Sequence, residues 1–336
     1  MARGKVYNKI YNEEDWSKVN NENKNIMEDY LDEYRQRKKS LGTIKQYKND
    51  LRILFIYILH QLDNKCIFEL KKKDFRRYNI WLQDKGMSNA RVNRLMSACR
   101  SMLTYCEDDD EYEYDNNVSL KVHGLEKKPV RTNDDNFFMT FEQVMKVREE
   151  LLKRGELQLA VLHMLLFDSA GRRNEIYQVK KQGLLNGNKT NKVIGKRGKE
   201  FELVYLDDTK ELIKQWLEYR GEDNIDSLWV KIKKDGTKSE ISYETLYDWI
   251  LKISKILSEI EGRKIDIFCH SYRHSRAEIL KQGQDTRLLD KNGKPRVYSI
   301  EEIQKFLHHS SSDTSQGYLR NHDSDIIDDM FGFSNN

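Results

Sequence analysis

Ser169-Ala170-Gly171-Arg172-Arg173-Asn174-Glu175-Ile176, His270-Ser271-Tyr272-Arg273-His274-Ser275 and Leu307-His308-His309-Ser310 are the stretches on which the reading of this chain turns. Each is short and carries arginine or histidine, and Tyr318 follows His309 by nine positions. A guanidinium stays protonated and donates paired, parallel hydrogen bonds, which suits it to oxyanions. An imidazole changes charge near neutral pH and can give or take a proton. Any one of these boxes alone is weak evidence. All three in this order are strong evidence, because groups so far apart in sequence act together only if a fold gathers them.

Working outward, the 336 residues are enough for two ordinary domains. A hydrophobic fraction of 38% and a charged fraction of 34% describe a globular protein with a heavily charged surface. Ile53 to Leu59 is the longest apolar stretch, far short of the roughly 20 residues a membrane span needs. Met1-Ala2-Arg3-Gly4-Lys5 leads into polar sequence with no apolar h-region, so no secretory leader is expected and a cytoplasmic location follows. Cys66, Cys99, Cys106 and Cys269 show no C-x-x-C spacing; buried thiols are expected ahead of disulfides or zinc. Only Pro129 and Pro295 interrupt the chain, which suits helices.

The net charge of +4 says little, but its distribution says more. Leu31 to Tyr105 carries 17 Lys or Arg against seven Asp or Glu, and Glu107 to Asp115 then holds seven acidic residues in nine positions. A basic module beside acidic sequence is the asymmetry of a protein that lays one face on a polyanion.

Apolar periodicity divides the chain into an N-terminal extension (1–24), a helical module (25–115), a linker (116–136) and a second domain (137–336). In the module, Thr43 is read as an N-cap, and Ile44, Tyr47, Leu51, Leu54, Phe55, Ile58 and Leu59 recur at helical steps. Lys45, Lys48 and Arg52 fall off that stripe. A helix from Lys73 to Lys85 stops at Gly86, and Ser88 opens a third with Val92, Leu95, Met96, Cys99 and Leu103 inward. Arg91, Arg94 and Arg100 are expected to face away from that core. Lys127 and Lys128 lie in the linker. Thr140 and Gln143 make a capping box, Leu157 to Phe167 is a buried helix, and Val193-Ile194 and Phe201 to Tyr205 flank the turn Gly195-Lys196-Arg197-Gly198. The fold class is therefore mainly α with a small β-sheet.

The three boxes and the spacing to Tyr318 resemble the tyrosine recombinase (phage integrase) family. The resemblance covers roughly residues 25–336 and is most specific in the second domain. It implies a helical, SAM-like core-binding domain followed by an α+β catalytic domain that cuts and rejoins DNA through a 3′-phosphotyrosine. It implies Arg172 and Arg273 as the guanidinium pair on the non-bridging oxygens, with Glu175 of an R-x-x-E pattern supporting Arg172. His270 is the implied proton acceptor or phosphate orienter, and His309 the donor to a phosphate oxygen. Tyr318 is the implied nucleophile, helped because a phenol of pKa about 10 ionises reluctantly. Lys196 on the hairpin turn is the implied donor to the departing 5′-oxygen, with Lys199 the alternative if the register slips. Neither metal nor organic cofactor is implied.

The implied partners are double-stranded DNA and further copies of the chain, as dimer or tetramer on DNA, with no membrane. Lys45, Lys48, Arg52, Arg91, Arg94, Arg100, Lys127 and Lys128 are the candidate DNA contacts; the last two are equally well read as solvated linker charges. The terminal segment, with Ile326, Ile327, Met330, Phe331 and Phe333, is read either as packing on its own domain or, as the resemblance implies, as the link to a neighbouring protomer. Two features depart from the pattern: His308 stands where the family has glycine, and Gln284 to Arg296 reads as an inserted polar loop. A site-specific recombinase of phage or mobile-element type is the leading reading. A transcriptional regulator, such as a prophage repressor, built on the same scaffold is the alternative.

Overall fold

The structure, a computed structural model, describes residues 10–126, 137–195 and 198–308. The chain separates into two compact units, dividing at residues 130 and 131. The described residues are mostly helical, with two small antiparallel hairpins among them. No helix of the described residues is long and apolar enough to cross a membrane.

The first unit consists of α1 (Glu13–Lys18), α2 (Asn21–Gln36), α3 (Leu41–Gln61), α4 (Lys72–Asp84) and α5 (Asn89–Asp108). Ser40, not Thr43, caps α3: its hydroxyl accepts from the Thr43 amide at 3.2 Å. Serine is the stronger N-cap, and Leu41-Gly42 then forms the first turn. Leu51, Leu54 and Phe55 of α3 pack with Phe75, Tyr78 and Leu82 of α4 and Val92, Leu95 and Leu103 of α5. Removing any such buried leucine costs about 2–5 kcal/mol. Cys66, Cys99 and Cys106 are buried free thiols.

Both expected boundaries of this unit move outward. The described part of the N-terminal extension, from residue 10 on, belongs to it: Ile10 and Val19 enter the core, and the Trp16 ring lies 6.5 Å from that of Phe55. At the other end, the expected linker is folded as far as residue 126. Asn117, Ser119 and Val122 are buried, and Asn93 on α5 exchanges two 2.8 Å hydrogen bonds with the Leu125 backbone. Side-chain to backbone pairing of this kind carries no apolar period, which is why the segment reads as linker.

The second unit is built around α7 (Leu157–Ser169), which is apolar on every side; all its residues from Leu159 onward are buried. A helix of that kind belongs at the centre of a core. It is packed by α6 (Phe141–Lys153), capped by the Thr140 and Gln143 box, and by α9 (Asp207–Arg220), α10 (Tyr243–Glu261) and α11 (Cys269–Gln282). Between them stand α8 (Arg173–Tyr177) and the hairpin of β1 (Lys189–Ile194) and β2 (Glu200–Val204), in which Val193 pairs with Phe201. A second hairpin, β3 (Val230–Ile232) with β4 (Lys238–Glu240), was not foreseen, although Asp235-Gly236 is a turn signal and Gly236 has φ +81°. The last described helix is α12 (Ile300–Phe306).

The segment 284–296 is an irregular polar loop as expected, but its base is anchored by a buried ion network. Asp285 is 2% exposed and accepts from both Arg276 and Arg287. Arg287 reaches Asp168 at 2.7 Å and Asp208 at 3.0 Å, tying the segment to α7 and α9. Burial pushes the Asp285 carboxyl up, but Arg287 and Arg276 outweigh it and hold the group below its usual range.

Candidate active site

The polypeptide leaves α7 through Ala170, which takes a left-handed φ of +49°, and re-enters a helix at once with Arg172 at the N-cap of α8. Glu175, 1% exposed, serves both ends of Arg172. One carboxylate oxygen accepts from the Arg172 amide at 2.7 Å and the other from its guanidinium at 2.9 Å. The R-x-x-E spacing is thus a helix cap and a side-chain clamp in one. The turn is tight: a Cβ on Gly171 would sit 2.9 Å from Ile176 Cδ1. Trp229 secures α8 from below, its indole N–H donating to the Ile176 carbonyl at 2.7 Å.

Arg273 joins the three boxes. It lies on α11 and is 2% exposed. One terminal nitrogen donates to the Ala170 carbonyl at 2.8 Å, and the other donates to the Leu307 carbonyl. The guanidinium of the second box is therefore pinned by the backbone of the first and third, using two of a fork's five donors. Beneath it, buried Tyr272 holds His163 of α7 through a 2.7 Å hydrogen bond.

The His270 and His308 imidazoles share this cationic field. His270 is held below the usual imidazole value, first by burial and then by the charges of His274, Arg273 and Arg172. His308 is lowered by burial, then by Lys199, with Arg273 and Arg172 adding to the effect and Glu175 opposing it. Both are neutral at pH 7. Burial also pushes the neighbouring Cys269 thiol up to about 12, so it stays protonated. The hairpin turn is closed by the Gly195 amide donating to the Lys199 carbonyl at 2.8 Å.

Arg172, Glu175, His270 and Arg273 are thus brought together, with Lys199 close by. Lys196, His309, Tyr318 and the terminal segment lie outside the described residues, as do Lys127 and Lys128. Sequence reasoning did not assign a role to His308 or Phe201. The only sign of them was the departure from glycine at position 308.

The candidate DNA contacts of the first unit are less uniform than the sequence suggests. Lys45 is exposed. Lys48 pairs with Glu28 at 2.5 Å, and the Arg52 guanidinium lies over the Tyr11 and Trp16 rings at 4.8 and 5.0 Å. Arg91 and Arg94 do not face away from the core: both clamp the buried Asp50, at 2.6 and 3.0 Å. Arg100 donates to the carbonyls of Ser119 and Val122, at 3.3 and 2.6 Å, and so braces the 117–122 segment. A buried carboxylate and an irregular backbone segment each need donors, and these arginines supply them.

Comparison with known proteins bears on both units. Residues 138–294 match the model of the phage integrase family, and residues 27–108 match that of the phage integrase N-terminal SAM-like domain. The first match takes in Arg172, the β1–β2 hairpin and the His270 to Arg273 box, and stops short of Leu307 and Tyr318. A prophage-derived recombinase-like protein of Bacillus subtilis is 29% identical over 267 residues, 75% of this chain and 77% of that one. A tyrosine recombinase XerC of Treponema denticola is 27% identical over 292 residues, 82% of this chain and 87% of its own. Among solved structures, XerH bound to a palindromic difH substrate superposes with a TM-score of 0.63 at 18% identity, covering 88% of this chain and 80% of XerH. A lambda integrase tetramer on a Holliday junction gives 0.63 at 14% identity, covering 88% and 76%.

Proposed function

The chain belongs to the tyrosine recombinase (phage integrase) family, and from that premise we propose that it cuts and rejoins duplex DNA at specific sites, as part of a phage or other mobile element. One observation carries the reading: Arg273 is bonded to the backbone of both other boxes, so two guanidiniums and the His270 imidazole converge on one place.

In the proposed reaction the Tyr318 oxygen attacks the scissile phosphorus and forms a 3′-phosphotyrosine as the bond to the 5′-oxygen breaks. Arg172 and Arg273 carry the charge that builds on the non-bridging oxygens, an effect worth about 3–4 kcal/mol per well-placed donor. Neutral His270 takes the phenolic proton or orients the phosphate, and His309 donates to a phosphate oxygen. A hairpin lysine, Lys196 or in its place Lys199, returns a proton to the 5′-oxygen. Rejoining reverses these steps, so no external energy source is needed. The dimer and tetramer of lambda integrase on DNA support self-association of this chain on DNA, and the terminal segment is the proposed link between protomers.

The test is a nicked suicide duplex carrying the cognate site. The parent protein should leave a covalent adduct that survives detergent, and Tyr318→Phe should leave none. Tight binding without adduct, together with transcriptional repression that Tyr318→Phe preserves, would replace this reading with the regulator.

A further inference from the structure

His308 occupies a backbone conformation that a side chain does not favour. Its φ is +53°, in the left-handed region just beyond the end of α12, where a Cβ costs about 1–2 kcal/mol. Something must offset that cost, and the imidazole's surroundings show what does. Its ring lies on the Phe201 ring of β2, with centroids 4.0 Å apart and planes tilted by 31°. That is closer than the usual 4.5–7 Å of aromatic pairs.

Phe201 is itself wedged in place. A Cβ on Gly195 would come within 2.6 Å of Phe201 Cε1 and 3.2 Å of Glu175 Oε1, so the phenyl ring fills the space beside the hairpin turn, next to the carboxylate that clamps Arg172. On the other side, the carbonyl of Leu307, adjacent to His308, is held by Arg273. The contacts therefore run from Arg172 through Glu175, Gly195 and Phe201 to His308, and from Leu307 to Arg273. Being neutral, His308 stacks as an aromatic plane beside the Lys199 charge without adding a second cation.

We infer that His308 is a positioning residue: by stacking on Phe201 it fastens the β1–β2 hairpin to the arginine pair, and so sets where the hairpin's lysine stands relative to the scissile phosphate. This rests on the reaction proposed above. His308 acts through the hairpin and not on the DNA.

The experiment compares single-turnover adduct formation by the full-length parent, His308→Ala and His308→Phe on two nicked duplexes. One is ordinary; in the other, sulfur replaces the bridging 5′-oxygen, so that the thiolate departs without needing a proton. On the ordinary duplex His308→Ala should be slower by about tenfold, with the half-saturating DNA concentration unchanged. His308→Phe should stay within about twofold of the parent, because the stack survives. On the sulfur duplex the His308→Ala deficit should vanish. Backbone amide exchange should accelerate in β2 of His308→Ala and remain as in the parent for His308→Phe. Equal slowing on both duplexes, full activity of His308→Ala, or unchanged exchange in β2 would each overturn the inference. If the parent forms no adduct on either duplex, the proposed reaction fails, and the exchange comparison alone decides whether the stack holds the hairpin.

Discussion

At Arg273 and Glu175 one residue's hydrogen bonds do the work of a whole motif. Glu175 caps α8 and grips Arg172, and Arg273 bonds the carbonyls of residues 170 and 307, so backbone geometry and guanidinium placement cannot vary separately. His270 sits in that field, and its proton affinity has a kinetic consequence. Burial, with His274 and the Arg273 and Arg172 guanidiniums adding to it, lowers its pKa, so the neutral, proton-accepting form is lost only at acid pH. Adduct formation should rise with pH and level off before pH 7, with the midpoint of its acid limb below the ordinary imidazole value of about 6.5. His270→Gln should remove that limb. An acid limb centred above 6.5 would contradict the assignment.

Among the elements, the clearest lesson comes from the segment 284–298, which is anchored where its composition suggests solvent. Arg287 faces three carboxylates, those of Asp168, Asp208 and Asp285. Asp168 also accepts from the Leu206 amide and the Thr209 hydroxyl, which joins α7 to the start of α9. Burial works against the charge on Arg287, but these carboxylates prevail and raise its pKa further. Removing one partner of such a network leaves buried charge uncompensated, at a cost of about 3–5 kcal/mol. Arg287→Ala should therefore lower the urea unfolding free energy of the second unit by about that amount. Arg287→Lys should recover little, since an ammonium cannot fork between three carboxylates. A loss below about 1 kcal/mol, the value of an exposed pair, would show that the network is solvated.

At the scale of the whole molecule, the core of the second unit contributes to acid sensitivity through His163. His163 on α7 is fully buried, bonded to the Tyr272 hydroxyl and to the Val144 carbonyl of α6, and burial pushes its pKa down to about 4. In the unfolded chain the same imidazole titrates near 6.5. The native state thus resists protonation while the unfolded state accepts it. The stability contribution is complete above pH 6.5 and is lost as pH falls from there to about 4. At about 1.4 kcal/mol per pKa unit the loss amounts to roughly 3 kcal/mol. Denaturant unfolding of the parent between pH 7 and 4 should show this slope, and His163→Gln should flatten it. Equal slopes in the two proteins would place the acid sensitivity elsewhere.

How far the chain could be read depended on the range of the forces involved. Helix starts at Ser88 and Thr140, the stop at Gly86, the buried run of α7 and the β1–β2 hairpin were legible, since caps, turns and periodicity act within a few residues. The box residues were legible because phosphate chemistry restricts the side chains that can serve it. Long-range pairing was not legible. Nothing near Arg91, Arg94 or Arg100 announces that Asp50 and the 117–122 backbone will take their donors, and nothing near Arg287 announces Asp168. Nor does position 308 reveal that its imidazole will lie on Phe201, more than a hundred residues earlier in the chain. Sequence by itself determined the elements and the chemical types of the site. Only tertiary structure decided which cations are already paired, because an ion pair or ring stack depends on distances that close when the core does.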